Sequence, residues 1–282
     1  QDKPVIKYIG LDKATINLVR TRKDSIWNYS FIVDEFASAP DTSKTKKPSG
    51  GVSMDLRKVD LTNVRINQVD QWVGEDYYVS ARQIYLDAKN LDLQQHNIDI
   101  QELKLDKPSF IISSYKSSPL RHKHPKAEKE ELADTSAIPA LRWNSANWKL
   151  LVKEVSIKDG LFGVDNPDDT TAVTAGYFAP GHIRFQQINL QLNNTTLVKD
   201  SILGDLTFST KERSGFEVKK LSARFKMSPV EMEFSHMDLL TNNSHLRDYY
   251  TMQYADISDM SDYINLVFMR AHIVNSKLSS DD

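Results

Sequence analysis

The sequence contains no cysteine among its 282 residues. Disulfide bonds, thiolate metal sites and cysteine nucleophiles are therefore excluded. Long apolar runs are also missing, since no stretch approaches the roughly 18 residues of a membrane-spanning helix. No signal-peptide pattern precedes the first strand-like segment. Because the chain starts at Gln1 rather than Met, we expect it to be a fragment of a longer protein.

The chain also has no excess of basic residues over acidic ones. The 36 Lys and Arg residues meet 38 Asp and Glu residues, which gives a net charge of -2 and a pI of about 6.4. Without a basic field, nucleic acid is not expected as a partner. Only 40% of the residues are apolar, and the mean hydropathy is -0.48. This balance favours a sheet with one wet face over a parallel sheet buried on both faces.

Motifs of the common catalytic and cofactor sites are absent from the sequence. It has no Gly-x-Ser-x-Gly elbow, no His-Glu-x-x-His and no phosphate-binding loop. His122 and His124 form the only close histidine pair, without further ligands at useful spacing. Carboxylates are numerous, so composition leaves an acid pair of the glycosidase kind open, but nothing marks two of them. We expect no enzyme, no catalytic residue, no metal site and no cofactor.

Three polar stretches interrupt the chain at about 37–51, 116–139 and 165–182. Their Pro, Gly, Asp, Ser and Lys content cannot bury enough apolar surface to offset ordering entropy. We interpret them as loop insertions within a single elongated domain that spans residues 1–282.

Between the loops, apolar and polar residues alternate strictly, which is the period of a half-buried strand. The run Leu221, Ala223, Phe225 and Met227 is one of the clearest cases. The pattern predicts an all-β fold of mostly antiparallel strands with one dry face. One segment departs from it, because apolar residues between Met260 and Phe268 follow helical spacing and predict a short helix over about 259–268.

A short pattern recurs four times at intervals of about 50 residues: apolar, x, apolar, two polar residues, a small or turn residue, x, apolar. The polar pairs are Asp-Lys, Thr-Asn, Asp-Lys and Lys-Asp. We interpret each pair as a bend or bulge that restores the apolar side chains to the same face, since a one-residue slip would turn them all to water. The alternative is that any β protein yields such patterns by chance. The residues predicted to share this face are Ile9, Leu11, Ile16, Leu18, Val59, Leu61, Val64, Ile66, Leu103, Leu105, Phe110, Ile112, Val155 and Ile157.

The first copy of the pattern continues into a longer motif. It runs from Ile9 through Ala14 and Ile16 to Arg20, then through a basic-polar turn to Trp27-Asn28-Tyr29. With the later runs at 212–216 and 241–246, the chain resembles the AsmA-like and TamB-like proteins of double-membraned bacteria. The resemblance covers most of the chain outside the three loops.

This resemblance implies a repeating β-groove, or β-taco: a tall, twisted sheet curled into an open hydrophobic groove. It implies a periplasmic protein of the cell envelope, anchored in the inner membrane by parts outside this chain. The expected function is inter-membrane phospholipid transport and outer-membrane biogenesis. The expected partners are phospholipids or other acyl lipids and an outer-membrane β-barrel assembly partner. The fourteen residues above would then line the lipid groove.

Two other functions stay open at the level of sequence. A structural or partner-binding β module would close the apolar face against an equally bulky layer, whereas a groove leaves it uncovered. A glycan-binding module would require aromatic side chains clustered on one exposed face.

Overall fold

The computed structural model describes residues 5–23, 26–31, 53–92, 95–116, 142–174 and 176–282. Nearly all regular secondary structure in these ranges is strand, so the predicted all-β fold is confirmed. The first two predicted loops, 37–51 and 116–139, lie outside the described residues except for Lys116. In the third interval, residues 166–174 and 176–181 connect two strands without helix or strand of their own.

Thirteen strands form one sheet. They are β1 (Val5–Asp12), β2 (Thr15–Arg20), β3 (Ser53–Asp70), β4 (Glu75–Asp92), β5 (Asn97–Asp106), β6 (Ser109–Ser114), β7 (Lys149–Asp165), β8 (His182–Val198), β9 (Ser201–Glu212), β10 (Glu217–Ser228), β11 (Glu231–Leu240), β12 (His245–Gln253) and β13 (Phe268–Ile273). Their order across the sheet is β1-β3-β4-β5-β7-β8-β9-β10-β11-β12-β13, with β2 and β6 continuing the lines of β1 and β5.

Most strand pairs are antiparallel, as predicted, but the sheet is mixed because it also contains parallel pairs. Strands β7 to β13 are joined by successive antiparallel pairings, but β1 and β2 run parallel to β3, and β5 and β6 run parallel to β7. The physical reason lies in the repeat. Copies one and two are neighbours in the sheet, as are copies three and four, and each pair is joined by a long crossover that lets the second copy run in the same direction.

The predicted bends or bulges are confirmed by the backbone dihedral angles. The second residue of every polar pair has left-handed dihedral angles, with φ of 55° at Lys13, 51° at Asn63, 46° at Lys107 and 51° at Asp159. Hydrogen bonding between neighbours continues through these positions, since the Lys13 amide donates to the Thr62 carbonyl at 2.9 Å. The bulges of paired repeat copies therefore lie side by side in register.

Each bulge preserves the facing of the strand. Ile157 lies opposite Leu190, and Gly160 lies opposite Ile188, so three residues on β7 match two on β8. Residues opposite one another in a sheet point to the same side, and Leu190 and Ile188 alternate regularly. Ile157 and Gly160 therefore share a face. A Cβ added to Gly160 would lie 3.0 Å from the Ile157 side chain, which agrees with this placement.

The predicted helix is present, but it begins and ends about two residues earlier and is mostly a 3₁₀ helix. A 3₁₀ helix at Ile257–Asp262 is followed by one α-helical turn at Tyr263–Leu266, and Phe268 already begins β13. Val267 is buried, but Ile264 is 75% exposed. The apolar stripe therefore does not lie against the sheet as a continuous helical face would.

Candidate functional site

One face of the sheet, which we call the apolar face, carries continuous rows of apolar side chains. The longest row crosses ten strands in unbroken register. It consists of Leu11, Leu61, Ile84, Leu105, Ile157, Leu190, Phe208, Leu221, Leu239 and Leu246. No charged side chain interrupts this row, so the face is a candidate surface for an apolar ligand.

All fourteen residues predicted from the repeat lie on the apolar face. Before the bulges, Ile9, Leu11, Val59, Leu61, Leu103, Leu105, Val155 and Ile157 occupy two adjacent rows, in which β4 supplies the intervening positions. Beyond the bulges lie Ile16, Leu18, Val64, Ile66, Phe110 and Ile112. Leu18 is the least continuous with the rest, because its neighbour in register is the polar Gln68.

The residues predicted from the repeat leave out several members of the longest rows on this face. Ile84 and Leu86 connect repeat copies two and three, and Leu190, Phe208 and Leu221 continue the row beyond copy four. Their signal was the plain two-residue alternation of β4 and β8 to β12. That pattern identifies a strand. It does not show which face of the strand aligns with the apolar row of the neighbouring strand.

The opposite face is polar beside the longest apolar row. The row beside the longest apolar row consists of Asp60, Tyr85, Lys104, Ser156, Gln191, Thr207, Ser222, Asp238 and Arg247. Lys220 and His245 contact the Asp238 carboxylate at 2.8 and 2.6 Å and hold its pKa down at about 2. The sheet is thus amphipathic, and water solvates only one of its faces well.

The apolar face is not covered. Among the fourteen predicted residues only Val64 is buried, whereas Leu11 is 46% and Ile16 45% exposed and most of the others are half-buried. The one cluster of buried apolar residues within the described ranges is small and consists of Ala88, Ile100 and Val152. Side chains in a sealed core are packed on all sides and mostly inaccessible. The described part of the chain supplies no second layer for this face.

The apolar face deepens into a cavity at its C-terminal end. The cavity has a volume of about 460 Å³ and a nearly wholly apolar lining. Residues of β11, β12 and β13 form it, among them Met237, Leu239, Leu246, Tyr250 and Ile273. Such a lining suits hydrocarbon and offers almost nothing to a polar ligand.

Buried carboxylates close the strand ends beside the apolar face. Asp70 accepts hydrogen bonds from Arg20 Nε at 2.9 Å and from the backbone of Trp72 and Val73 at 3.1 Å each. Burial raises the pKa of Asp70, but these hydrogen bonds, that of Arg20 foremost, outweigh it and hold the pKa below its usual value. Arg20 also stacks over Trp27 at 4.8 Å. A carboxylate held in this way is a fixed anion that anchors a turn.

Glu212 has the same role at the end of β9. It lies opposite Phe185 and is 2% exposed. Its carboxylate accepts the backbone N–H groups of Arg184 and Ser214 at 3.1 and 2.5 Å. Burial raises its pKa, yet the hydrogen bonds involving Ser214 and Arg184 leave the pKa lowered. These anions organise the strand ends.

The Trp-Asn motif positions the edge of the sheet. Asn28 Oδ1 accepts the Val19 amide at 2.9 Å, while Asn28 Nδ2 donates to the Asn17 carbonyl at 3.0 Å. The side chain therefore imitates a paired strand along β2. Trp27 precedes Asn28 and lies near the end of β2, a boundary that suits an amphipathic ring.

The described ranges contain neither a candidate metal cluster nor a candidate membrane-spanning helix. No group of three or more His, Asp or Glu side chains there could hold a metal ion. No helix in those ranges is long and apolar enough to cross a membrane. No protein-family model, curated protein or solved structure significantly matches the chain.

Proposed function

We propose that the apolar face shields the acyl chains of phospholipids or other acyl lipids, without catalysis. On this proposal the chain is a periplasmic segment of an AsmA-like or TamB-like protein. It contributes to inter-membrane phospholipid transport and outer-membrane biogenesis. The full-length protein would be anchored in the inner membrane and would meet a β-barrel assembly partner through parts outside this chain.

The observation that carries this proposal is an apolar row that crosses ten strands and remains accessible. A sealed sandwich would bury such residues, and a surface sheet would not maintain so long a row, since apolar surface exposed to water is unfavourable. An extended apolar ligand would explain why this long apolar row is accessible, because the ligand covers the face without requiring a second layer of protein.

The mechanism is hydrophobic transfer. Each methylene moved from water onto an apolar surface contributes up to about 0.8 kcal/mol, so an acyl chain gains several kcal/mol without any specific contact. Because the rows are continuous, neighbouring positions offer similar binding energy. A lipid can then shift along the face without crossing a large barrier. The head group stays at the polar margin, where the strand ends carry charged and hydrogen-bonding groups.

A partner-binding module remains the second candidate, and the free edges of the sheet favour it. All six residues of β13 are exposed, and β12 is its only neighbour in the described sheet. An open edge pairs readily with an added strand. In this case the apolar face would be covered by protein.

Charged substitutions distinguish the two candidates. We expect Leu61→Asp and Leu105→Asp to fold, because half-buried positions on an open face let the carboxylate reach water. We expect both to bind a fluorescent fatty-acid probe at least about tenfold more weakly, since a charge left in contact with hydrocarbon costs more than 1.4 kcal/mol. The measurements are the melting temperature and probe titration on the same samples. Lipids that co-purify with the wild-type chain, identified by mass spectrometry, give the natural ligand.

Gln191→Asp is the matched control. Gln191 lies on the polar face between two residues of the apolar rows, so its change should affect neither measurement. Outright unfolding of both Leu variants would show a sealed core. Probe binding equal to wild type in both would place the lipid path elsewhere. Either result would remove the physical basis of the proposal.

A further inference from the structure

Methionine is concentrated at one end of the apolar face. Six of the seven methionines of the chain lie between residues 227 and 269. Four of them form a single row, because Met227 lies opposite Met232, Met232 opposite Met252, and Met252 opposite Met269. Four adjacent strands, β10 to β13, therefore present four thioethers side by side. On β9 the row continues with Ile202 instead.

The spacing of these strands suits a metal ion that bridges two sulfurs. Directly opposite residues have Cβ atoms about 4.5–5.5 Å apart. Metal–sulfur bonds of about 2.3 Å, as in zinc thiolates, span about 4.6 Å between two sulfurs. Methionine has three rotatable bonds, so its sulfur can adjust to the position that an ion requires.

The chemistry of the row selects the ion. Thioethers are soft, neutral ligands that favour Cu(I), whereas carboxylate and imidazole ligands suit harder divalent ions. The residues that follow or precede the methionines along the strands form the neighbouring row on the polar face, in which Lys226 lies opposite Glu233 and Thr251 lies opposite Arg270. The row itself therefore offers sulfur and no oxygen or nitrogen side chain.

Access to the row is open. Met269, on the edge strand, is 46% exposed, and Met227, Met232 and Met252 are half-buried. An ion can enter at β13 and be passed inward between equivalent sulfur pairs. We infer that the methionine row, Met227, Met232, Met252 and Met269, is a binding site for Cu(I).

Anaerobic competition with a coloured Cu(I) chelator tests the site in the whole chain. The wild-type protein should withdraw Cu(I) from the chelator with saturation at a fixed stoichiometry. The Met232→Leu/Met252→Leu double variant should bind at least about tenfold more weakly, as expected when ligands of a metal site are removed. Leucine keeps the apolar volume, so folding should be preserved.

Met237→Leu is the matched control, since Met237 lies on the same face outside the row and should leave Cu(I) affinity unchanged. X-ray absorption of the copper-loaded protein should show sulfur neighbours only. Cu(I) uptake that is absent in the wild type, or unchanged in the double variant, would overturn the inference. Leu61→Asp, which should lose the fatty-acid probe, lies outside the methionine row and should bind Cu(I) like the wild type, which separates this site from the proposed lipid function.

Discussion

At the scale of the residue, buried polar side chains hold the strand ends in place. Asn144 is 2% exposed, and its amide group contacts the backbone of Trp148 and Lys199. Asp200 accepts the backbone amides of residues 142–144. Sequence reasoning missed these contacts, because an Asn or Asp in a polar segment looks the same whether it is solvated or bound to backbone. Burial decides between the two, and burial depends on the rest of the fold.

The pair of half-buried Arg20 and buried Asp70 leads to a prediction. Asp70→Asn should lower the free energy of unfolding at pH 7 by about 2 kcal/mol, because it leaves a half-buried guanidinium without its anion. The folded pKa of Asp70 is lowered, so its stabilising contribution is present above about pH 4 and is lost as the pH falls through the folded pKa. Urea unfolding of both proteins between pH 7 and pH 3 should show the difference shrinking.

Lys89→Gln is the comparison for this experiment. Lys89 approaches Asp99 at 3.6 Å, but its side chain is 70% exposed, so the change should stay within about 1 kcal/mol. Equal losses in the two variants, or a loss in Asp70→Asn that does not vary with pH, would contradict the assignment of Asp70 as a buried anion.

At the scale of the element, each repeat copy contains one left-handed residue. This residue keeps the apolar side chains before and after it on the same face of the sheet. Non-glycine residues tolerate this conformation unequally, and β-branched residues tolerate it worst. Asn63→Val should therefore destabilise the fold by about 1–2 kcal/mol, whereas Asn63→Gly should be near neutral. Thermal unfolding measures both changes.

The neighbouring residue supplies the control. Thr62 is not left-handed and precedes Asn63 in the same strand, so Thr62→Val should stay within about 0.5 kcal/mol. If valine is tolerated equally at the two positions, the bulge does not depend on the left-handed conformation of Asn63.

Some features of the strands and the helix could be predicted from the sequence, and others could not. Alternation and the polar pairs predicted the strands, the bulges and the shared face, because these are local properties of two to eight residues. The parallel pairing of β1 with β3 and of β5 with β7 could not be predicted, since a period of two contains no information about partner or direction. The helix was predicted to end two residues too late because Phe268 fits a helical stripe as well as a strand.

At the scale of the whole molecule, each strand is stabilised chiefly by its neighbours in the sheet. The strand pairs in close contact within the described ranges are those that share backbone hydrogen bonds. Such quasi-one-dimensional architectures lose stability locally instead of all at once. A compact domain with one central core would respond as a unit.

Removal of residues 268–282 tests this organisation. Hydrogen exchange of the shortened chain should be faster in β11 and β12, because β12 becomes an edge, and unchanged in β3, β4 and β5. Mass spectrometry of peptic peptides resolves these regions. Loss of protection throughout the sheet would instead show that the strands depend on one common core.

The length of the longest apolar row determines how many acyl chains can lie along it. Its ten strands define nine spacings of about 4.8 Å each, so the row from Leu11 to Leu246 extends about 43 Å across the sheet. A bilayer core about 30 Å thick accommodates two acyl chains end to end, or about 15 Å for one. A single chain laid along the row therefore covers about a third of it. The row is therefore long enough for more than one lipid at a time. The number of bound lipids and the position of each along the row can vary independently.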